Sequence, residues 1–376
     1  MSINRVLNHS TAVLPIIERL KKEVNIDRRY SIMEFCGGHT HSFVRSGLID
    51  LLPANISLVH GPGCPVCVLP SHPVENSIDL LQKHSDVILY TYGDMMRVPT
   101  DDGDSLLHAR SRGAQVRSLY SPLEAVDYAA LHPEVKVVFL AIGFETTIPP
   151  TLVALQRAID LQIGNFFVYC NHLDTAMALR GILERECYND IEIDGFIGPG
   201  HVSLITGAKF FEPFALKYRK PIVISGFTPY DLALSLLMLV QQINHDEARV
   251  DVEYKRAVDG AGNVKAQTLM DRFLTRRDSF TWRGLGDMKH SAFKLKDEYA
   301  VYDAEVVFSL VNSKNIKSSK GCLCSQVLAG KSKPTSCSLF AGECTPENPQ
   351  GVCMVSSEGA CSAYYLAGRH LRLGEL

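Results

Sequence analysis

Four stretches of the chain bring together side chains able to bind metals or move electrons. Glu34-Phe35-Cys36-Gly37-Gly38-His39-Thr40-His41 offers a thiol and two imidazoles around two glycines. Such donors suit a soft or borderline metal such as iron, and the glycines let backbone approach a ligand. Gly61-Pro62-Gly63-Cys64-Pro65-Val66-Cys67 contains a CxxC pair, in which one thiol can attack a disulfide and its partner resolve the product. The same spacing also serves as half of a zinc site. Gly143-Phe144-Glu145-Thr146-Thr147 presents one carboxylate and two hydroxyls, a turn suited to a polar ligand or proton transfer, or to capping a helix. The fourth stretch is C-terminal, where six of the eleven cysteines (Cys322, Cys324, Cys337, Cys344, Cys353 and Cys361) crowd together.

These six lack the paired CxxC pattern of common zinc sites. Widely separated single cysteines suit an iron–sulfur cluster, whose inorganic core draws thiolates from different turns. Four ligands would leave two over. One division pairs Cys324 with Cys353 as a redox dithiol, but spacing alone does not choose among the divisions, nor exclude structural zinc or reduced buried thiols. The segment is rich in Gly, Pro and Ser and calls for something besides hydrophobic burial to hold it, such as a metal centre.

The elements that position these groups follow from pattern. Short β-branched runs recur at Tyr30–Phe35, Ile56–His60, Val87–Tyr92, Val135–Ile142, Phe166–Cys170, Gly195–Ile197 and Pro221–Ser225. Several are apolar on both faces, as buried parallel strands are. Val74–Lys83 and Leu152–Leu161, lying between them, carry helical periodicity. The alternation predicts α/β units with chemistry at the carboxyl ends of strands, and Glu305–Val311 reads as one more strand. Cys36/His39 and Cys170/His172, Gly61-Pro-Gly-Cys64 and Gly198-Pro-Gly-His201, and Gly93 and Gly226 repeat at nearly constant offset. This suggests two similar parallel-sheet α/β domains: residues 1–125 with the Cys36 and Cys64/Cys67 loops, and 126–285 with the Glu145 and His201 loops. Residues 286–376 then form a Cys-rich iron–sulfur region. Asp94 and Asp231, each just past a strand, read as turn or cap residues, and His201 as a polar contact.

Composition narrows the function classes. Hydrophobic residues make up 46% and charged residues 21%, with a formal net charge of −3, so nothing argues for nucleic acid or an anionic membrane surface. The strongly apolar run Leu232–Val240 is far short of the roughly twenty residues a membrane span needs. Neither a Walker loop nor a GxGxxG fingerprint occurs. Val13, Ile16, Ile17, Leu20 and Val24 lie at helical spacing among charges, which predicts an amphipathic helix rather than an export signal. The expected location is the cytoplasm, where structural disulfides are rare.

Taken together, Cys36-Gly-Gly-His39-Thr-His41, Gly61-Pro-Gly-Cys64-Pro-Val-Cys67, Gly143-Phe-Glu145-Thr-Thr147, Gly198-Pro-Gly-His201-Val-Ser203 and Cys353-Met-Val-Ser-Ser-Glu358-Gly-Ala-Cys361 resemble the HypD family of [NiFe]-hydrogenase maturation factors over essentially the whole chain. The resemblance implies a scaffold that, with the small chaperone HypC, assembles the Fe(CN)₂CO moiety for the hydrogenase large subunit. Cyanide would come from HypE, charged by HypF. It also implies a [4Fe–4S] cluster on Cys322, Cys337, Cys344 and Cys361, with Cys324/Cys353 and Cys64/Cys67 as redox dithiols. Cys36, with Cys64 and Cys67 beside it, would meet the iron under assembly, and His39, His41 and Glu145 would hydrogen-bond its ligands or move protons. The rival reading from the residues is a freestanding cluster-dependent thiol–disulfide oxidoreductase.

Overall fold

The computed structural model describes residues 10–184, 192–310 and 321–368, so Cys187 and Val311 lie outside the described residues. The main strands are β1 (Tyr30–Glu34), β2 (Ile56–His60), β3 (Val87–Tyr92), β4 (Val116–Leu119), β5 (Lys136–Gly143), β6 (Phe166–His172), β7 (Gly195–Pro199), β8 (Ile222–Ser225) and β9 (Val250–Val252). They form two all-parallel sheets, β2-β1-β7-β8-β9 and β4-β3-β5-β6. All seven expected strands are present. β4 and β9 escape the pattern because β4 is short, with Arg117 half-buried and Ser118 exposed, and β9 is only half-buried. Glu305 to Val307 belong instead to a helical turn, Ala304–Val307, nucleated by Asp303, whose side chain accepts the Glu305 N–H at 2.9 Å.

Taken in chain order, the strands of the first sheet run 2-1-3-4-5 and those of the second 2-1-3-4. This is a doubly wound arrangement, with a switch point between the first and third strands. The pairing cuts across the expected division at residue 125. β3 and β4 join β5 and β6, while β7 to β9 return to complete the sheet begun by β1 and β2. The two α/β units are similar, but the correspondence runs β1 with β3 and β7 with β5. The repeated motifs do not map sheet onto sheet: Gly61-Pro-Gly follows β2 and Gly198-Pro-Gly spans the end of β7, both in the first sheet. A parallel sheet needs only crossovers between its strands, and these can enclose a whole second unit, which local sequence does not reveal.

Alternation along each strand sorts side chains between faces. Tyr30, Ile32, Leu58, Ile197 and Val223 face the helices Ser10–Glu23 and Pro229–Asn244. Ile88, Val137, Phe139 and Val168 face the helices Pro122–Leu131 and Ile148–Asp160. The opposite faces, with Met33, Val59 and Ile224 from one sheet and Leu89, Leu140 and Tyr169 from the other, belong to one shared core. The amphipathic N-terminal helix thus packs on the first sheet, with Ile17 and Leu20 buried. The Cys-rich segment contributes Leu328, Val352, Met354 and Val355 to the shared core, so apolar burial helps hold it after all.

Two small hairpin-like pairs complete the fold: β10 (Leu274–Arg276) with β13 (Phe293–Leu295), and between them β11 (Ser279–Trp282) with β12 (Gly286–Lys289). No described helix is long and apolar enough to cross a membrane.

Candidate metal and thiol centre

Cys36 leaves β1 in extended conformation and caps the helix Gly37–Arg45 without using its side chain, so the thiol is spared for other chemistry. Its N–H donates to Glu34 Oε2 at 3.1 Å, and the Gly37 N–H donates to Gly63 O at 3.1 Å. A Cβ on Gly63 would fall 2.5 Å from Cys36 Cα, and one on Gly37 would fall 2.3 Å from Glu358 O. The glycines therefore allow three loops to close around one thiol. Burial pushes the Cys36 thiol far up, and Glu358 pushes it further. Such a group ionises when a metal displaces its proton.

Glu34, to which the sequence pattern gives no role of its own, is buried. It accepts from Thr40 Oγ1 and shares a 3.0 Å contact with His60 Nδ1. His60 Nε2 meets the Tyr364 hydroxyl at 3.0 Å. Tyr364 lies on the helix Ala360–Leu366, one turn from Cys361. A continuous polar chain thus ties the Cys36 loop to the C-terminal cysteines. The distance in sequence between its members hides it from local reading.

His39 is buried and lies 3.3 Å through Nε2 from Ser225 O, and burial lowers its pKa to about 4. Its Nδ1 has no hydrogen-bond partner among the described residues. Phe227 is stacked between His39 at 4.8 Å and His201 at 3.8 Å. Beside them opens a cavity of about 940 Å³, lined in part by Gly38, His41, His201, Phe227, Tyr254 and Arg256. It lies at the carboxyl ends of β1, β7 and β8, where the strand order reverses and ligands collect in doubly wound sheets. Asp231 is the cap expected of it: it completes a capping box with Thr228 and also pairs with Arg256 at 2.5 Å.

Cys64 and Cys67 are joined in a disulfide, with Cys64 3% and Cys67 0% exposed. In this state neither sulfur is a free thiolate for iron. Cys67 Sγ lies 3.8 Å from Val352 O, next to Cys353. The C-terminal sulfurs also converge. The Cys322 and Cys353 thiols hydrogen-bond to Cys324 and hold it below the usual thiol range, while Cys353 is pushed up through the same contact with Cys324 and by Cys361. Cys337 and Cys361 act on Cys344 through charge. A Cβ on Gly351 would lie 2.6 Å from Cys322 Sγ, so this glycine opens space among the sulfurs. No group of three or more His, Cys, Asp or Glu side chains forms a ready metal-ligand set among the described residues. The soft, mutually close thiols nevertheless have the chemistry that iron–sulfur cores take.

Glu145 stands apart. It accepts the Thr175 N–H at 2.9 Å and the Thr175 hydroxyl at 2.7 Å, and burial, with Asp174 beside it, raises its pKa to about 8. It lines a small cavity of about 170 Å³ with Asp174, Phe210, Met270 and Arg276. That cavity shares no lining residue with the one that His41 lines. Thr147 sits at the N-cap of the helix Ile148–Asp160, but its hydroxyl donates backward to Ile142 O and Phe144 O at 3.1 Å each.

Comparison with known proteins adds independent findings. Residues 11–368 match the family model described as "HypD: Hydrogenase formation hypA family". The chain is 48% identical over 353 residues to the hydrogenase maturation factor HypD of Azotobacter vinelandii, covering 93% of each chain. It is 46% identical to that of Cupriavidus necator over 94% of each chain, and 42% identical to that of Escherichia coli over 94% of each.

Proposed function

The chain belongs to the HypD family of hydrogenase maturation factors, and we propose that it is the scaffold on which, together with HypC, the Fe(CN)₂CO moiety is built. The observation that carries this reading is Cys36, a buried thiol at the switch point of the first sheet, with the Cys64–Cys67 loop packed against it and, two residues on, Gly38 lining a cavity.

In this reading iron is the cargo. Cys36 gives up its proton to bind it and shares it with a thiolate of HypC. HypE, charged by HypF, delivers cyanide, and the loaded iron leaves with HypC for the hydrogenase large subunit. His41 and His201 line the cavity that the cargo and the HypC chain would enter. His39, neutral through burial, stacks on Phe227 and shapes the wall. We place these steps in the cytoplasm.

Cys322, Cys337, Cys344 and Cys361 would hold a [4Fe–4S] cluster, which supplies electrons one at a time when bound. Cys324 and Cys353 form the second dithiol. Exchange with the Cys64–Cys67 disulfide breaks that S–S bond and forms one between Cys324 and Cys353, so two electrons and two protons move together. The packing of Cys67 against Val352 supports this order of groups. A freestanding reductase of protein disulfides would need an exposed pair, and both sulfurs here are buried.

The test is iron, sulfide and infrared analysis of anaerobically purified protein, alone and with HypC. About four cluster irons and four sulfides per chain, with cyanide and carbonyl stretches in the complex, are expected. In C36A those stretches vanish while the sulfide remains. Full diatomic bands in C36A would remove Cys36 from the role given to it, and zinc without sulfide would remove the cluster.

A further inference from the structure

Arg97 ends the 3₁₀ helix Gly93–Arg97, which follows β3 at the carboxyl end of the second sheet. Met95 and Met96 of this helix are buried in the same core as Val352, Met354 and Val355 of the Cys-rich segment. Arg97 extends the contact with hydrogen bonds. Its Nη1 donates to Pro346 O at 3.1 Å and its Nη2 to Val355 O at 3.2 Å. Among the described residues these are the hydrogen bonds of its guanidinium, so the planar fork is given to two carbonyls 249 and 258 residues away in sequence.

Val355 stands in a tight turn. The Met354 N–H donates to Gly351 O and the Val355 N–H to Val352 O, each at 3.0 Å, and the Gly359 N–H donates to Ser356 O at 2.9 Å. The Glu358 N–H donates to Ser356 Oγ at 3.3 Å. A Cβ on Gly359 would lie 2.2 Å from Cys353 O, so the turn folds back on itself and its two ends are held together. At the far end is Glu358, whose carbonyl oxygen would lie 2.3 Å from a Cβ on Gly37, the residue after Cys36. One compact turn therefore bridges the carboxyl ends of the two sheets. Arg97 grips it on the second sheet, and it closes over the start of the Cys36 helix on the first.

We infer that Arg97 is a positioning residue for Cys36: by gripping Val355 O and Pro346 O together it keeps Glu358 closed over Gly37, and so sets access to the Cys36 thiol. The link runs through backbone geometry and requires no change of charge at any sulfur. A lysine would carry the charge but offers a point rather than a planar fork, and does not span both carbonyls. A buried group meets a reagent when its cover opens locally, so the grip of Arg97 is read as a rate at Cys36. Its meaning for iron rests on the reading of Cys36 as the thiol that meets the cargo.

The test is pulsed alkylation of the folded, full-length chain with N-ethylmaleimide under anaerobic conditions, with the labelled Cys36 and Cys170 peptides followed by mass spectrometry. Cys170 is 1% exposed and belongs to a core that holds no residue of the Cys-rich segment, so it reports general loosening. R97Q and R97K each speed labelling at Cys36 about fivefold, as loss of two net hydrogen bonds allows, and leave Cys170 at the parent rate. A parent-like Cys36 rate in either folded variant overturns the inference. Equal acceleration at both thiols also overturns it, because that marks lost stability rather than an opened turn. Should R97Q not fold, R97K decides by the same two readings. Absence of cyanide and carbonyl bands from the parent complex with HypC would remove the iron reading alone and leave the labelling result standing.

Discussion

The two parallel sheets share a strand order, yet their corresponding ends are built differently. After β1, Gly37 lies under the Glu358 loop, and an added Cβ would strike it at 2.3 Å. After β3, the corresponding Gly93 has nothing within 4 Å of such a Cβ. The C-terminal segment closes directly over Gly37, whereas at the other end it is held by Arg97, which donates to Pro346 O and Val355 O, and leaves room at Gly93. The two ends thus differ through what is packed over them rather than through the strands, and the proposed iron site lies at the end where Gly37 is closed over.

The sharpest test of this contrast is a pair of alanines. G37A must push back the Glu358 loop and costs about 3 kcal/mol, the upper range for overpacking, whereas G93A changes stability by no more than about 0.5 kcal/mol. Urea unfolding measures both, and equal effects would erase the distinction between the crowded and the roomy glycine. A smaller effect is expected from Y364F, which leaves buried His60 Nε2 without its hydroxyl partner and costs about 1–2 kcal/mol. If the iron-loaded complex with HypC forms as proposed, the same change should shift its cyanide infrared bands, since the chain from Tyr364 ends on the Cys36 N–H.

The smallest effect concerns the second sheet. Because the folded-state pKa of Glu145 is raised from 4.5 to about 8, the folded chain holds a proton that the unfolded chain releases in that window. Its contribution is therefore present at low pH and lost as pH rises through about 8. E145Q should flatten the decline in stability between those values. The flattening is partial, because Glu253, raised to about 7 by burial and Asp231, acts in the same direction. A decline just as steep in E145Q would show that Thr175 stabilises the carboxylate more than burial opposes it.

Much of this architecture is legible in the residues themselves. β-branched runs announce seven of the strands because buried parallel strands must be apolar on both faces. The glycine–cysteine turns announce the close approach of loops around Cys36, because Gly37 and Gly63 lie where a Cβ would clash. What local reading misses is non-local. The membership of β7 in the sheet of β1 depends on pairing such as Glu34 with Ile197, and no nearby residue signals it. Arg97 is a single basic residue at the end of a short helix, and only its distant acceptors, Pro346 and Val355, make it more than that. Nor does the Glu145 motif by itself reveal that it lines a cavity sharing no residue with the one that His41 lines.

The return of the chain to β7 bears on biosynthesis. β3 to β6 form one unbroken stretch between β2 and β7, so the second sheet can assemble while the first still lacks its middle neighbour. Non-local pairing of this kind is slow, and chains fold as units from the N-terminus during synthesis. Cys36 emerges early from the ribosome, but its pocket waits for β7 and β8, and its lid waits for Glu358. The order of synthesis therefore works as a timer: a nascent chain that has emerged only as far as β2 has the thiol without the enclosure, which closes only after β7, β8 and Glu358 have followed.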